Sequence, residues 1–549
     1  MFIKGIFRKG SILLLALALL PAFLPAGAFA EGKELSLSDS TVGFRHFDYT
    51  LDENNRIKSV DKEKIVETKF NAKVIENEYL KVTLLPDFGG RILSIVYKPT
   101  GHELLYQNPV GAPYGIGEGN FYYDWLMVYG GIFPTFPEPE HGKAWCLPWE
   151  YRVVEQSGDR ITVEMSFTDN IKAPDPRLAE KFNNGETGIK CVATVAVYKG
   201  RSYVDLGIKL INGKNEAVNY EYWTCATLAP GSEPGRTLSP KNSEMVAPIE
   251  RVKSKSDWWP WMGAVDKPAG NQPGVFEYGK LASFTNWKDM GIAYAEPSVE
   301  KDWWGVINHE NEEGVLRIAE NKKYTPGLKL WTWGADQSYA ADPEKYGDTA
   351  RPYIEMWAGP SSEFFEDARM SGAEEKSWVE SYIPTAGLAK ITYANKHAAI
   401  HMDYGPDDAG GEIGFSAEVF TTHPNERMRA VFKLAGNENV SLGESTFISD
   451  PVKANRLNSK KPGKDLTEGN HTYILEIQSS SGETLARAET PVAISSGIGG
   501  AVAAAAPATA ASVDPAKPAI SAVPFIAGFG AALLAAAIVL TVRARKTGK

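Results

Sequence analysis

The chain has 549 residues, a formal net charge of −10 and 43% hydrophobic residues, which is the balance of a globular protein and excludes a disordered one. Its acidic character, without a large basic cluster, argues against a nucleic-acid partner. Three cysteines are too few for a scaffold held together by disulfides. The sequence leaves open whether two of Cys146, Cys191 and Cys225 pair.

The first thirty residues have the pattern of a secretory signal peptide. Three basic residues precede an apolar run at 11–24, and Ala-Phe-Ala at 28–30 is a small-x-small cleavage site. We therefore expect residues 1–30 to be removed and the chain that follows to be exported.

The far end of the chain predicts a membrane anchor. Residues 495–518 are rich in Gly, Ala, Pro and Ser, which is typical of a flexible linker. Residues 519–542 carry no charge and are long enough for one transmembrane helix, although a buried core helix is the alternative. The basic tail at 543–549 should stay cytoplasmic. The prediction is a single-pass type I protein of the cell membrane, with its bulk outside.

Between these ends the sequence predicts an all-β protein with two modules. Segments such as 79–86 and 192–199 read as strands bounded by Gly, Pro, Asn or Asp, and no long helical periodicity interrupts them. Residues 35–395 are therefore expected to form one large β-sandwich or a propeller, and the lack of a repeat of 40–50 residues disfavours the propeller. Residues 396–494 lack tryptophan and contain short alternating segments, which predicts a small, Ig-like β-sandwich.

Clustered tryptophans indicate a carbohydrate site. Trp258, Trp259 and Trp261 lie within four residues, and Trp303-Trp304 and Trp331-x-Trp333 follow. Adjacent side chains on a strand point to opposite faces, so the two rings of an adjacent pair are not expected to lie in one core. Exposed aromatic rings beside polar groups can hold the apolar faces of sugars. Packing of the same rings in the core is the alternative.

Two residues stand out as acid or base candidates. His141 lies in a loop rich in Gly and Pro. Glu355 lies in an apolar strand, where alternation places it between the rings of Tyr353 and Trp357. Partial burial there would raise its pKa and suit it to proton transfer, although a paired structural carboxylate is the alternative. No motif for a metal, a nucleotide or another cofactor is present.

Four segments, in this order, resemble the galactose-mutarotase-like superfamily. Residues 79–106 resemble its opening strands, and 130–150 resemble the GG…FP…HG…PWE pattern of hexose-6-phosphate mutarotases. Residues 305–334 and 353–365 are similar to hallmarks of an uncharacterised bacterial branch that is often joined to tetratricopeptide repeats. The resemblance implies a large, twisted β-supersandwich whose open face binds saccharides.

The resemblance also implies roles for particular residues. Glu355 would be the general base at the anomeric hydroxyl, and His141 would contact the substrate. The second histidine of mutarotases is missing from 219–230, so Glu221 or Tyr222 would have to substitute for it, or His309 would have to enter from the loop at 308–310. If the protein is an enzyme, we expect Glu355 to be the base and His141 or His309 to be the acid. The sugar would be oriented by Arg91, Trp259, Trp304, Trp331, Trp333 and Trp357.

The sequence therefore predicts a cell-surface protein that acts on a saccharide or polysaccharide, with an epimerase-like, hydrolase-like or lyase-like activity. A non-catalytic glycan-binding or adhesion module is the alternative, and the missing histidine favours it. A purely structural surface protein is a third reading.

Overall fold

The computed structural model describes eleven segments of the chain, and the account below is confined to them. They are residues 34–51, 57–111, 130–137, 141–171, 186–235, 238–254, 261–265, 274–335, 352–406, 411–436 and 439–495. The predicted signal peptide, the linker beyond residue 495, the predicted membrane helix and Trp259 lie outside them. Within the described segments, no helix is long and apolar enough to cross a membrane.

Strands make up nearly all of the regular secondary structure of the described residues, which confirms the predicted all-β class. The first strands are β1 (Ser36–Leu51), β2 (Ile57–Glu76), β3 (Leu80–Leu85), β4 (Arg91–Tyr97), β5 (His102–Leu105), β6 (Ile132–Thr135), β7 (Glu150–Gln156) and β8 (Arg160–Thr168). There follow β9 (Ile189–Tyr198), β10 (Val204–Asn212), β11 (Val218–Tyr220), β12 (Trp223–Ser232), β13 (Ser243–Val246), β14 (Arg251–Lys253) and β15 (Val275–Glu277).

The second half of the chain continues this pattern. The next strands are β16 (Gly291–Ala295), β17 (Trp303–Asn308), β18 (Glu313–Ile318), β19 (Gly327–Thr332), β20 (Ile354–Gly359), β21 (Ala368–Met370) and β22 (Glu375–Ala386). The last are β23 (Tyr393–Ala394), β24 (Ala398–Pro406), β25 (Glu412–Thr421), β26 (Arg427–Ala435), β27 (Val440–Ile448), β28 (Asn455–Pro462), β29 (Gly469–Gln478) and β30 (Thr484–Ile494). Two single-turn helices are α1 (Met262–Val265) and α2 (Asn321–Tyr324).

Two large antiparallel sheets dominate the first part of the chain. The larger runs in the order β1-β2-β3-β4-β5-β12-β20-β19-β16-β14-β15, with β6 paired to β12 and β4. The other runs β13-β17-β18-β22-β10-β9-β8-β7, and β11 pairs with β21. One hydrophobic core extends through both large sheets.

A buried polar network joins the two large sheets. Arg317 of β18 donates from Nε to Glu380 of β22 at 2.8 Å, and both side chains are fully buried. Thr224 of β12 donates its hydroxyl to the other oxygen of Glu380 at 2.8 Å. This contact fixes which face of the larger sheet turns toward its partner.

The last strands form two four-stranded sheets with a hydrophobic core of their own. Their orders are β23-β24-β25-β28 and β27-β26-β29-β30. The pairing of β23 places the first strand of this unit slightly before residue 396. Lys396 reaches back to Asp205 of β10 at 2.7 Å, and the Ala454 amide donates to Ala386 of β22 at 3.0 Å.

Two of the three cysteines and one adjacent pair of tryptophans are buried. Cys191 and Cys225 are buried thiols outside any disulfide. Trp303 and Trp304 are both buried, at 6% and 1% exposure, in the same hydrophobic core, so the expectation that the two rings of this pair cannot share one core is wrong. Both faces of β17 are covered by other parts of the protein.

Candidate functional site

Glu355 lies in the middle of the larger sheet, on β20 between β12 and β19. It pairs with Thr227 on one side and with Trp331 on the other. Directly opposed residues of an antiparallel pair carry their side chains on the same face. Thr224 lies three positions from Thr227 on β12, so its side chain is on the opposite face, where it hydrogen-bonds Glu380 between the two sheets. Glu355 therefore lies on the face of the larger sheet that is turned away from the eight-stranded sheet.

The carboxylate of Glu355 is enclosed by hydrogen-bond donors. The Tyr353 hydroxyl donates to Oε1, and the Trp357 indole N–H donates to Oε2 at 2.5 Å. The two rings flank the carboxylate, as the alternation predicts, and Glu355 is only 3% exposed. Burial raises the pKa of Glu355, while the nearby charge of Lys329 and the donated hydrogen bonds oppose that rise.

Lys329 is a member of this site that sequence reasoning missed. It lies on β19 opposite Trp357, and its Nζ is 3.8 Å from Oε2 of Glu355. The available signal was a charged residue inside the apolar strand LKLWTW, two positions before Trp331 and therefore on the same face. We call Glu355, Tyr353, Trp357, Lys329 and His141 the Glu355 cluster.

His141 comes to the cluster from the loop of residues 141–149. Its ring stacks on Trp145 with centroids 4.6 Å apart and lies 5.4 Å from the ring of Trp357. Burial, with the charges of Lys329 and Arg91, holds the pKa of His141 well below its usual value, so the ring is neutral at neutral pH.

Both ring nitrogens of His141 are buried and lack a hydrogen-bond partner among the described residues. A neutral imidazole has one donor and one acceptor, and leaving them unsatisfied is costly. A hydroxyl group can satisfy either nitrogen because it both donates and accepts. The residue is thus suited to contact a polyhydroxylated ligand.

Arg91 holds the His141 loop against the larger sheet. The buried guanidinium donates to three backbone carbonyls: Phe88 at 2.8 Å, Gly130 at 2.9 Å and Trp145 at 2.5 Å. Gly89 precedes it with φ +76°, and an added Cβ would lie 2.0 Å from the Trp145 carbonyl oxygen. Only glycine fits this turn. The geometry gives Arg91 a role in placing the loop that carries His141.

A buried ion pair also anchors the His141 loop. Lys143 Nζ lies 2.7 Å from Asp169 Oδ1 and donates to the Ile171 carbonyl at 2.6 Å. The other Asp169 oxygen accepts from the Thr187 amide and hydroxyl at 2.8 and 2.7 Å. The loop is therefore tied to the eight-stranded sheet just beyond β8, as well as to the larger sheet.

The predicted sugar-binding tryptophans divide into two groups. Trp331 packs edge-on against Trp333 at 4.4 Å and against Tyr353 at 5.6 Å, so both tryptophans adjoin the Glu355 cluster. Both are only 6% exposed, which differs from the expected open platforms. Trp304 lies instead in the eight-stranded sheet, 1% exposed, with the Arg317 guanidinium 5.1 Å from its ring. Trp259 lies outside the described residues.

The candidate acids other than His141 also lie in different places. His309 follows β17 in the eight-stranded sheet, and its Nε2 is 2.8 Å from Glu244. Within the described segments, no hydrogen bond or ion pair joins it to Glu355. The Tyr222 hydroxyl lies 3.0 Å from that of Thr224, on the side facing Glu380. The Glu221 amide donates at 2.7 Å to the Pro137 carbonyl, which leads into the His141 loop.

In the parts of the chain that the structure describes, no group of three or more His, Cys, Asp or Glu side chains is placed to bind a metal ion. The described site consists of a carboxylate, an ammonium group, a neutral imidazole and aromatic rings. It lies on one face of the larger of two antiparallel sheets.

Comparison with known proteins confirms the resemblance inferred from the sequence. Residues 58–178 match the family described as a domain of unknown function, DUF5107. A TPR-domain-containing protein from Parabacteroides distasonis is 18% identical, with a TM-score of 0.51 over 66% of this chain and 58% of that one. At this identity the likeness shows the fold alone, and the chain spans only 58% of that relative's length.

Two further solved structures are more distant. A galactose mutarotase-like protein from Clostridium acetobutylicum is 10% identical over 64% of this chain and 99% of that one, with a TM-score of 0.40. A galactose mutarotase related enzyme from Lactobacillus acidophilus is 12% identical over 59% and 100%, with a TM-score of 0.38.

Proposed function

We propose that this protein binds a saccharide at the Glu355 cluster and acts on its anomeric centre. The observation that carries the proposal is the buried carboxylate of Glu355, held between two aromatic donors beside a histidine whose ring nitrogens have no hydrogen-bond partner among the described residues. Burial raises the pKa of Glu355 toward neutrality, which suits a general base. A fold shared with mutarotase-like proteins supports a saccharide as the ligand.

The reaction that this geometry supports best is ring opening of an aldose. Glu355 accepts the proton of the anomeric hydroxyl, C1=O1 forms, and the bond from C1 to the ring oxygen breaks as that oxygen gains a proton. Rotation about C1–C2 and closure in reverse complete epimerisation. Glu221 is the proposed acid: its amide binds the Pro137 carbonyl, which precedes the His141 loop, and its buried carboxyl group accepts from the Trp223 indole N–H at 3.4 Å. Neutral His141 orients a sugar hydroxyl.

A non-catalytic glycan-binding role is the second candidate. It is favoured by the lowered pKa of His141, which makes the imidazole a hydrogen-bonding group rather than a cationic acid. This role would use the same rings and the same histidine without turnover.

We also propose that the protein acts at the cell surface, anchored by residues 519–542 with its bulk exported. The support is the pattern of residues 1–30 and of the basic tail at 543–549.

The experiment is proton NMR of the full-length protein with mono-, oligo- and polysaccharides, following the anomeric signals over time. Faster exchange between α and β anomers is expected, and Glu355→Gln should abolish it. Glu375→Gln is the matched control, because Glu375 is exposed in an ion pair with Lys209. Unchanged turnover in Glu355→Gln would contradict the assigned base. Ligand broadening without turnover would support the binding role instead.

A further inference from the structure

The ammonium group of Lys329 lies close enough to Glu355, the proposed base, to affect its ionisation. Its Nζ is 3.8 Å from Glu355 Oε2, and the two side chains are only 5% and 4% exposed. The same nitrogen lies 3.8 Å from the ring centroid of Trp357 and 4.4 Å from that of Phe364. The ammonium group is thus fixed between two aromatic rings and a carboxylate. Such contacts hold a desolvated cation in place.

A buried carboxylate tends to take up a proton, because its charged form loses hydration. A general base must carry the charge. An ammonium group beside it favours the ionised form, and the aromatic rings restrict where that group can move. Trp357 links the two, since its indole N–H binds the carboxylate and its ring face contacts the ammonium.

We propose that Lys329 is a positioning residue for Glu355: it keeps the carboxylate ionised and oriented for proton transfer. The assignment rests on the proposed function, in which Glu355 is the base. It deepens that function because the site then contains a base–cation pair in place of a second histidine.

Other groups around the carboxylate must be counted in any pH dependence. Tyr353 adjoins it on β20, the Cys225 thiol hydrogen-bonds it from β12, and His141 and Arg91 lie toward the loop side. Tyr106 packs on Tyr353 with centroids 4.6 Å apart. Arg91 is held by backbone carbonyls, and His141 is neutral. Lys329 is therefore the cation whose removal should act most directly on Glu355.

The first test is the pH profile of anomer exchange. Without Lys329, the pKa of Glu355 rises, so less of the base is ionised at a given pH. The acidic limb of the profile in Lys329→Gln should move upward by about 1 to 3 pH units, the range for an opposite charge within 4–6 Å. Lys329→Arg keeps the positive charge, so its acidic limb should stay close to the wild-type position. Lys209→Gln, on an exposed ion pair, is the matched control and should leave it unmoved.

The second test needs no sugar. Unfolding free energy is measured against pH for the wild type, Lys329→Gln, Glu355→Gln and the double variant. A glutamate with a raised pKa costs stability as pH rises through that pKa. This loss should extend to higher pH in Lys329→Gln and vanish in both proteins that carry Glu355→Gln. These four proteins form a double-mutant cycle, which measures the interaction between Lys329 and Glu355 even if no sugar is turned over. Failure of the proposed function can therefore be distinguished from failure of the role assigned to Lys329.

An acidic limb and a stability profile that stay at their wild-type positions in folded Lys329→Gln would overturn the proposal. If Lys329→Gln does not fold, the double variant with Glu355→Gln shows whether the uncompensated carboxylate or lost packing is the cause. Recovery of folding shows that the uncompensated carboxylate was the cause, as proposed. Failure to recover shows that Lys329 serves packing alone and contradicts it.

Discussion

At the scale of single residues, the central feature is a buried histidine whose ring nitrogens lack hydrogen-bond partners among the described residues. His141 is 4% exposed and stacked on Trp145, yet neither ring nitrogen is satisfied among the described residues. Groups of this kind are rare in interiors unless a ligand or water completes them. The unsatisfied nitrogens therefore mark the side of the Glu355 cluster where a ligand hydroxyl is expected.

Replacing His141 by alanine should weaken saccharide binding about tenfold, the order of one or two lost hydrogen bonds. Because the pKa of the ring is held well below its usual value, its contribution should not change between about pH 6 and pH 8. NMR titration of the protein with a monosaccharide, repeated across this pH range, measures the affinity and its pH dependence. His401→Ala, at a histidine in the second sandwich, is the control. A wild-type affinity in His141→Ala would argue against a ligand at this ring.

The sequence singled out Glu355 and His141 as candidates, but it did not predict every neighbour of Glu355. Alternation along one strand placed Tyr353 and Trp357 beside the carboxylate. Lys329 was missed because its relation to Glu355 depends on the register between β19 and β20, which one strand does not encode. His309 was grouped with them by type alone, whereas it lies on the other large sheet beside Glu244.

At the scale of elements, the loop of residues 141–149 determines where His141 lies. The loop is held by Arg91 and the Gly89-Gly90 turn on one side and by the Lys143–Asp169 pair on the other. The sequence motif identified both the turn and the loop. It could not show that the carbonyl of Trp145 sits against Gly89, since that contact joins residues 56 positions apart.

A matched glycine pair tests this arrangement. Gly89→Ala and Gly101→Ala both place alanine at a positive φ, +76° and +78°, but only Gly89 faces a backbone oxygen. Gly101→Ala should cost about 1 kcal/mol of stability from backbone strain alone and leave saccharide affinity unchanged. Gly89→Ala should cost more and weaken binding, because the loop must shift. Denaturant unfolding and NMR titration measure the two effects. Equal effects in both variants would show that the loop does not depend on this contact.

At the scale of the whole molecule, two sheets are joined through a charged network in the core. Burial would by itself raise the pKa of Glu380, but Arg317 and the hydrogen bonds from Trp378 and Thr224 outweigh it and hold that pKa below its usual value. Composition and strand patterning were enough to predict an all-β protein with a large sandwich, whereas the supersandwich was implied by the family resemblance. Patterning did not assign strands to sheets, so it could not show that Trp303 and Trp304 share one core.

Glu380→Gln should destabilise the fold by about 3–5 kcal/mol at neutral pH, because it leaves Arg317 as an uncompensated buried charge. A carboxylate with a lowered pKa stabilises the fold above its unfolded-state value, and this contribution is lost as pH falls through the folded-state value. The difference between variant and wild type should therefore shrink below pH 4.5. Denaturant unfolding across pH measures it, with Glu375→Gln on the same strand as the exposed control. A constant difference across pH would contradict the electrostatic origin.

The most direct measurement is a crystal structure of the protein with a bound saccharide. The account predicts a sugar ring at the Glu355 cluster, with its anomeric hydroxyl within hydrogen-bond distance of the Glu355 carboxylate and another hydroxyl on a ring nitrogen of His141. A saccharide bound elsewhere on the protein, with the Glu355 cluster unchanged, would contradict the account.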